Sequence, residues 1–480
     1  MIFEQTIFLI LFFYNTMSNN IKKDLLLFND LINSFLEQEK HTPSNYYIEP
    51  ENLYKTLDIG LNENPIKTEF LAAILKELLE KTPKSSSKLF FNQLYGGRHS
   101  KAVLGDLLAV FLNNSMATYK IAGPQVAVEK ELLSQIYKII GYGKNAGGTI
   151  PTGGSMCNFM SLVLARDRAL KDPSQDISKL VVYTSENSHY SISKNVSLSG
   201  IKKENIRYLK SDNFGKIKII DFKNQVYKDI QRGMTPFYLN ATAGTTVLCA
   251  FDDILELAPI CKKNNIWLHL DGAFGGTVIF SKKYRFLVNG IELTDSFCFN
   301  AHKTLGAPIS TSILTIKDKK YLYESFDTSA EYLYQTHDEK FNLGHTSFEC
   351  GRRNNALKFW TLWKSIGRIG IEKIIDKEFK IADVARNYVI THPDYTLYSF
   401  KNSLSVCFNY KNFDPEDLCK KLYEKNKLMI GFGTFKSTKF IRLITINCQN
   451  SEKEVLNVFK IIEDFVKKFN ESLKTVKTKK

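Results

Sequence analysis

The 480-residue sequence has few cysteines and lacks internal repeats and low-complexity linkers, and these absences exclude several classes of protein. Its 8 cysteines include no Cys-x-x-Cys pair, and several of them lie inside apolar segments. A disulfide framework or a zinc ribbon needs closely paired cysteines, so neither is expected, and no metal site is predicted. Buried thiols of this kind are typical of a reducing compartment, and we expect a cytoplasmic protein.

The sequence also lacks an apolar run long enough to cross a bilayer. The apolar segment at 7–14 is too short for that purpose. It follows Glu4 rather than a basic segment, and no small-residue cleavage site comes after it, unlike a secretory signal. Two interpretations stand, a weak anchor or translation that begins at Met17. We expect no stable association with a membrane.

Charge of one sign is in excess, because 65 lysines and arginines face 50 acids and give a net charge of +15. Such an excess is compatible with nucleic acid, an anionic membrane or an acidic ligand as partner. No segment interleaves basic and aromatic residues, and the densest basic run lies at 474–480. We therefore predict a lysine-rich solvated surface and no nucleic-acid partner.

Hydrophobic residues make up 44 % of the chain, enough for a large core, and their spacing changes twice along it. Residues 22–80 have helical spacing interrupted by prolines, whereas short apolar runs alternate with amphipathic stretches between about 100 and 365. The second pattern predicts an α/β domain with a mostly parallel sheet. After 370 the pattern indicates a smaller α+β domain. The strands expected in the α/β domain are 180–183, 237–239, 266–270, 296–299 and 312–316. The later elements expected are helices at 354–365, 371–390, 414–425 and 452–469 and strands at 396–409 and 438–447.

Two charged residues follow apolar strands at positions that indicate a cofactor. Lys303 comes just after the strand at 296–299. Its amine either reaches water or is desolvated, with a lowered pKa that suits Schiff-base formation. Asp271 ends the strand at 266–270, where α/β sheets place ligands. Its carboxylate either caps the next helix or pairs with a protonated ring nitrogen, as pyridoxal phosphate requires.

Polar groups in three more loops are expected at the same edge of the sheet. A Gly-Gly-Ser turn at 153–155 opens an apolar helix and offers backbone N–H groups to a phosphate. His189 follows the strand at 180–183, and stacking on an aromatic ring is weighed against a structural role. Thr242 begins a loop rich in hydroxyls. Together these loops predict phosphate, ring-nitrogen, stacking and imine chemistry in one domain.

The segments that carry these residues resemble the group II pyridoxal-phosphate-dependent amino-acid decarboxylases. Over roughly 65–450 the matching segments, in the family's order, are FFNQLYGG, GGSMCN, TSENSHYSIS, NATAGTTVLCAFDDI, HLDGAFGG, NAHKTLGAP, CGRRNNALKFW and FIRL. The resemblance implies fold type I, with an N-terminal helical arm, a large domain on a seven-stranded sheet and a small C-terminal α+β domain. We place these at 1–98, 99–368 and 369–480. It also implies an obligate homodimer with active sites at the interface.

Carried over residue by residue, the resemblance implies that pyridoxal 5'-phosphate is the cofactor. Lys303 would bind it as a Schiff base, and Asp271 would pair with its ring nitrogen. His189 and Ala273 would lie against opposite faces of the ring, with Thr242 nearby beside Asp271. The residues implied to hold the phosphate are Gly154, Ser155, Asn300 and His302.

The resemblance further implies that Arg442 binds the substrate carboxylate together with Gln93. A carboxylate held perpendicular to the conjugated plane leaves preferentially, because its bonding electrons then flow into the ring. The segments FFNQLYGG and CGRR are more similar to the glutamate and cysteine sulfinate branch. We therefore expect an acidic substrate, namely glutamate, aspartate or cysteine sulfinate. The alternatives are 2,4-diaminobutyrate, an aromatic amino acid, or an aldehyde-forming or transaminating reaction on the same fold.

One loop departs from the family. Relatives are associated with a loop tyrosine that protonates the product carbon, whereas the loop between Tyr334 and Cys350 is shorter and lacks a tyrosine. Phe341 lies about where the tyrosine is expected, and His337 and His345 are the nearby proton carriers. The loop is either a shortened surface turn or the source of a different protonating residue.

Overall fold

The computed structural model describes residues 2–41, 45–328, 330–335 and 339–477. Contacts between residues divide the chain into two compact units. The first comprises the described parts of 1–90, 419–429 and 461–480. The second comprises the described parts of 91–418 and 430–460 and contains every predicted site residue. The three-domain division expected from the sequence stays a prediction.

The helices and strands alternate through the second unit as the sequence pattern predicts. The helices are α1 (Ile2–His41), α2 (Leu53–Thr56), α3 (Thr68–Lys81), α4 (Ser100–Leu112), α5 (Tyr119–Ala122), α6 (Gln125–Ile140), α7 (Gly154–Leu170), α8 (Ser191–Leu198), α9 (Ile219–Gln231), α10 (Ile254–Lys263), α11 (Ala301–Thr304), α12 (Lys320–Phe326), α13 (Ala356–Thr391), α14 (Pro415–Glu424) and α15 (Glu452–Lys477). The strands are β1 (Phe90–Phe91), β2 (Gly147–Thr149), β3 (Leu180–Ser185), β4 (Ile206–Leu209), β5 (Thr235–Thr242), β6 (Trp267–Gly272), β7 (Ser296–Asn300), β8 (Ser312–Ile316), β9 (Tyr395–Leu397), β10 (Ser405–Tyr410), β11 (Met429–Phe435) and β12 (Thr438–Ile444).

A seven-stranded sheet forms the core of the second unit, in the order β2-β8-β7-β6-β5-β3-β4. Strands β4, β3, β5, β6 and β7 run parallel, and β8 pairs antiparallel with both β7 and β2. Strands β3, β6 and β7 are buried along their whole length, as expected when helices cover both faces of a parallel sheet. The mostly parallel sheet predicted from the sequence is confirmed.

The register of the parallel strands brings their last residues side by side. Thr242 at the end of β5 is opposite Asp271 in β6, and Asp271 is opposite Cys298 in β7. Strand order reverses between β3 and β5. From β3 the chain continues outward to β4, whereas β5, β6 and β7 follow one another in the other direction. Ligands of open α/β sheets bind at such a reversal, outside the carboxyl ends of the strands.

The carboxyl-terminal part of the second unit differs in detail from the sequence prediction. The strand expected at 396–409 is two antiparallel strands, β9 and β10, because the chain turns at Asn402, whose φ is 64°. The helices expected at 354–365 and 371–390 form α13, in which Gly367 alone is non-helical, with φ 65°. Strand β11, which was not predicted, pairs with β12.

The first unit is largely helical. Gln38 of α1 donates a 2.7 Å hydrogen bond to Glu80 of α3. Asn45 donates to the backbone oxygen of Tyr423 over 2.8 Å. The side chains of the apolar segment at 7–14 lie outside those described. Among the described residues, no helix has the length and apolar character of a membrane span.

Candidate active site

A cavity of about 230 Å³ opens at the carboxyl ends of β5, β6 and β7. The predicted site residues that line it are Gly154, Ser155, His189, Thr242, Asp271, Ala273, Asn300 and Lys303. The other lining residues are Asn158, Tyr190, Gly244, Thr246 and Phe274. The fold therefore assembles most of the predicted cofactor residues in one place.

Lys303 reaches the cavity from α11, the short helix that follows β7. Burial lowers the pKa of its amine below that of a free lysine. The charge of Asp271 raises this pKa again, and the guanidinium of Arg442 lowers it. An amine in such surroundings is easier to deprotonate, which a nucleophilic lysine requires.

Asp271 is an acceptor with fixed geometry at the end of β6. Its side chain is buried, with 4 % of the residue exposed. Asn158 donates from Nδ2 to Oδ2 over 2.8 Å, and the backbone N–H of Ala273 donates to Oδ1 over 3.0 Å. Both bonds fix the orientation of the carboxylate, the group that could pair with a protonated ring nitrogen.

The start of α7 forms a cradle with room for an anion. A Cβ on Gly154 would lie 3.0 Å from the Ala273 Cβ and 3.1 Å from Asn300 Nδ2, so only glycine leaves this space open. The Oδ1 atom of Asn300 is buried without a hydrogen-bond partner among the described residues. Gly154 and Ser155, the first residues of the 17-residue helix α7, also line the cavity, and their N–H groups have no carbonyl partner within the helix. Together they fit a phosphate group.

The two predicted histidines have different surroundings. His189 lines the cavity, and burial lowers its pKa. The N–H of Ser191 donates to its Nδ1 over 3.2 Å, so the proton of the neutral ring is on Nε2. His302 does not line the cavity, and the N–H of Thr311 donates to its Nδ1 over 2.9 Å. Burial lowers the pKa of His302 to about 4, so this side chain is neutral at physiological pH.

The two predicted substrate-binding residues are not part of the cavity wall. Arg442 donates 2.8 Å and 3.1 Å hydrogen bonds to the backbone oxygens of Thr246 and Asn92, and its Nε is buried without a partner among the described residues. Its charge still reaches Lys303, whose pKa it lowers. Gln93 is exposed.

None of the described residues in the loop between Tyr334 and Cys350 lines the cavity. Phe341 packs against Met116, Ala122, Val126 and Leu343. His345 stacks on Tyr334 with ring centroids 3.8 Å apart, and its Nδ1 lies 2.6 Å from an oxygen of Asp327. His337, the other predicted proton carrier, lies outside the described residues.

Three residues in or next to the site were not predicted, and the positions of two of them carried a signal. Asn158 is four residues after Gly154, so both lie on one face of α7. His269 is two residues before Asp271, so both point to one face of the sheet. Asp252 accepts the N–H of Thr242 over 2.7 Å. No helix or strand spacing relates these two positions, so the sequence carried no signal for this contact.

A larger cavity of about 670 Å³ lies elsewhere in the second unit. Five lysines line it, namely Lys130, Lys138, Lys144, Lys319 and Lys340. None of the predicted site residues is among its described lining residues. Size alone therefore does not identify the active site, whereas the converging chemistry of the smaller cavity does.

The residues of the smaller cavity fit pyridoxal phosphate. The desolvated Lys303 suits the aldehyde of that cofactor, and the fixed carboxylate of Asp271 suits its ring nitrogen. The ring of His189 suits the face of the cofactor ring, and the cradle beside Asn300 suits the phosphate. On a mostly parallel seven-stranded sheet, this arrangement defines a pyridoxal-phosphate-dependent enzyme of fold type I.

Comparisons with known proteins define the family more closely. The model described as the pyridoxal-dependent decarboxylase conserved domain matches residues 50–411. The acidic amino acid decarboxylase GADL1 of Xenopus tropicalis is 31 % identical over 441 residues, 86 % of this chain and 86 % of that protein. The cysteine sulfinic acid decarboxylase of Homo sapiens is 33 % identical over 368 residues, 75 % and 74 % of the two chains. A crystal structure of mouse CSAD superposes with a TM-score of 0.86 at 27 % identity, covering 92 % of this chain and 98 % of that one.

The chain belongs to the pyridoxal-phosphate-dependent decarboxylase family. When bound, the cofactor supplies an electron sink in its protonated ring. The chain's own residues supply the remaining functions. Lys303 would provide the amine, Asp271 would lie beside the ring nitrogen, and the start of α7 would accept the phosphate.

Proposed function

We propose that this enzyme removes the α-carboxylate of an acidic L-amino acid (glutamate, aspartate or cysteine sulfinate) and releases the amine and carbon dioxide. The observation that carries the proposal is that two opposite charges act on the buried amine of Lys303, since Asp271 raises its pKa and Arg442 lowers it. Asp271 serves the cofactor ring, which leaves Arg442 as the cation for a carboxylate. The relatives named acidic amino acid decarboxylase and cysteine sulfinic acid decarboxylase support the substrate class.

Arg442 would stabilise substrate charge more than cofactor charge. Its guanidinium is half-buried at the edge of the site, where burial disfavours its charge, as the lowered pKa shows. Its Nε is buried and has no partner among the described residues. A buried cation gains from an incoming carboxylate because the two charges compensate the desolvation of each other.

A panel of amino acids assayed for carbon dioxide release tests the substrate class. We expect the highest kcat/KM with an acidic amino acid and little release from 2,4-diaminobutyrate or aromatic amino acids. In the Arg442→Gln variant, kcat/KM should fall roughly 10–100-fold, as expected for lost hydrogen bonds to a charged group. Arg442→Lys, which keeps the charge, should retain more activity than Arg442→Gln. A preference for a basic or aromatic substrate would reject the proposal.

We further infer that two copies of the chain associate. Helix α4 has an apolar face that the described residues leave exposed, with Phe111 at 61 % and Leu108 at 48 % exposure. Leu104 and Leu112 extend this face. Contiguous exposed apolar side chains on a soluble protein mark interaction surfaces, and closed symmetric pairs are the commonest assemblies. A second copy is therefore the proposed occupant.

Sedimentation of the purified protein tests the association. We expect a dimer, and we expect Phe111→Glu to shift the population towards monomer because a charge is buried without a partner. Phe214→Glu is a matched control, since Phe214 is also exposed, at 54 %, but lies outside α4. A monomeric wild-type protein would contradict the inference.

A further inference from the structure

Behind the cofactor residues lies a set of buried polar side chains joined by hydrogen bonds. We call Trp267, Ser296, His269, Asn158 and Ser191 the Asn158 network. Each of these side chains is at most 1 % exposed. They connect β6, β7, α7 and the start of α8. The network ends on the two groups that would contact the cofactor ring, because its last bonds reach Asp271 and His189.

Asn158 is the branch point of this network. From Nδ2 it donates 2.8 Å to Asp271 Oδ2 and 3.2 Å to Ser191 Oγ. Its Oδ1 lies 3.0 Å from His269 Nε2. The amide therefore uses both N–H groups and its oxygen, and its orientation follows from its neighbours. A flipped amide would set its oxygen against the Asp271 carboxylate, where two acceptors repel.

The direction of each bond is determined outward from that amide. Because Oδ1 only accepts, Nε2 of His269 carries the proton and its Nδ1 accepts from Ser296 Oγ over 2.8 Å. Trp267 donates in turn to Ser296 Oγ over 2.8 Å. On the other branch, Ser191 Oγ accepts from Asn158 and donates to Nδ1 of His189 over 2.9 Å. Donors therefore run in one direction, from the sheet interior towards Asp271 and His189.

The members of the network are neutral. Burial lowers the pKa of His269 to about 4, so its ring carries one proton at physiological pH. Cys298 lies 3.7 Å from Asn158 Oδ1 and 3.8 Å from Asp271 Oδ1, and burial raises the pKa of this thiol. Asp271 is thus stabilised from behind by dipoles rather than by a cation, which leaves its charge available for the ring nitrogen.

We propose that Asn158 is a positioning residue for the decarboxylation, since its amide fixes both the carboxylate that serves the ring nitrogen and, through Ser191, the histidine that stacks on the ring. Without the Asn158 donor, the Asp271 carboxylate would lose one of its hydrogen bonds and the contact that orients it towards the ring nitrogen. A bound cofactor would then lose part of the support for its protonated ring. The inference rests on cofactor binding at the cavity and adds the groups that tune it.

The test compares single variants by two readouts, the dissociation constant of pyridoxal phosphate from the apoenzyme and the split between kcat and KM. For Asn158→Ala we expect kcat to fall and the dissociation constant to rise, each roughly 10–100-fold, the scale typical of groups that orient a functional residue. The KM should change little because Arg442 is untouched. Asn158→Asp should be worse, since it sets two carboxylates about 3 Å apart. Ser191→Ala should weaken cofactor binding more than it lowers kcat.

The matched control is Ser161→Ala, one turn further along α7. Its hydroxyl is also buried, donates to the backbone oxygen of Asn158 over 2.9 Å and lies 2.7 Å from the Tyr238 hydroxyl, but it has no hydrogen bond to a side chain of the network among the described residues. We expect its kcat and dissociation constant to stay within about threefold of wild type. A second test is the pH profile of the bound cofactor's visible absorbance, which should shift in Asn158→Ala and remain unchanged in Ser161→Ala. A merely structural role would not move that profile.

Coupling between His269 and Asn158 keeps the proposal falsifiable. If His269 acts through Asn158, His269→Gln as a single variant should lower kcat. Combined with Asn158→Ala, it should lower kcat little further. If Asn158→Ala fails to fold, as judged by circular dichroism, the single variants His269→Gln and Ser191→Ala carry the test. Equal behaviour of these variants and Ser161→Ala would overturn the proposal. Absence of cofactor binding in the wild-type enzyme would instead overturn the function itself.

Discussion

Replacement of Lys303 by alanine is expected to abolish the covalent attachment of pyridoxal phosphate and to lower kcat by roughly 10³-fold or more. Lys303 is the predicted covalent link to the cofactor, and we expect its loss to cost at least as much as the loss of a general acid or base, roughly 10²–10⁴-fold. The visible absorbance of the purified protein should change because the imine is absent. Absorbance, cofactor retention on gel filtration and kcat together measure the effect.

Lys358 provides the matched control for that experiment. It is also a buried lysine of the second unit, at 1 % exposure, and burial lowers its pKa too. Its amine, however, contacts Asp106 at 3.4 Å and the backbone oxygens of Ile309 and Ser310, and it does not line the cavity. After borohydride reduction, the cofactor should be found by peptide mass spectrometry on Lys303. Labelling of Lys358, or full activity of Lys303→Ala, would contradict the assignment.

Replacement of Asp271 is expected to have the second-largest effect. In Asp271→Ala the ring nitrogen loses its anionic partner, and kcat should fall about 10²–10³-fold, the cost of removing a group that stabilises charge in the transition state. The N–H donors of Asn158 and Ala273 are also left without their acceptor. Single-turnover kinetics at saturating cofactor separate this loss of chemistry from weaker cofactor binding.

Two conservative variants distinguish charge from shape at the same position. Asp271→Glu keeps the carboxylate and should retain more activity than Asp271→Ala. Asp271→Asn keeps the shape but is neutral and sets an N–H group against one of the two donors, so it should resemble Asp271→Ala. If Asp271→Asn were as active as wild type, the ring nitrogen would not depend on a charged partner.

Much of the fold followed from the sequence because its parallel strands are apolar and end in polar residues. The runs at 266–270 and 296–299 correspond to β6 and β7, which are buried throughout. Burial on both faces forces a continuous apolar run, which is easy to identify. Strand β11 was missed because most of its residues are exposed or only partly buried and its glycines, Gly431 and Gly433, weaken the β signal.

The candidate site was predictable where a residue's role depends on its place along a strand. Lys303, Asp271 and Thr242 each follow or end a strand, and all three line the cavity. Residues whose role depends on packing between distant segments were harder to find. His302 matches the family motif next to Lys303, yet its ring faces the Thr311 backbone, and spacing alone does not determine this.

The loop after Tyr334 illustrates the same limit. The absence of a tyrosine is evident from the sequence. The packing of Phe341 is not, because one of its partners, Met116, lies more than 200 residues earlier in the chain. That packing makes Phe341 part of a small apolar cluster. The identity of the products then shows whether the product carbon is protonated, because protonation gives the amine.

The most direct test of the account is a product balance with an acidic amino acid labelled in its α-carboxylate. The account predicts that the holoenzyme releases the label as carbon dioxide and forms the corresponding amine in equal amount, with no aldehyde, ammonia or peroxide. The Lys303→Ala variant should release almost none. Formation of aldehyde, ammonia or a keto acid in place of the amine, or no release from any acidic amino acid, would contradict it.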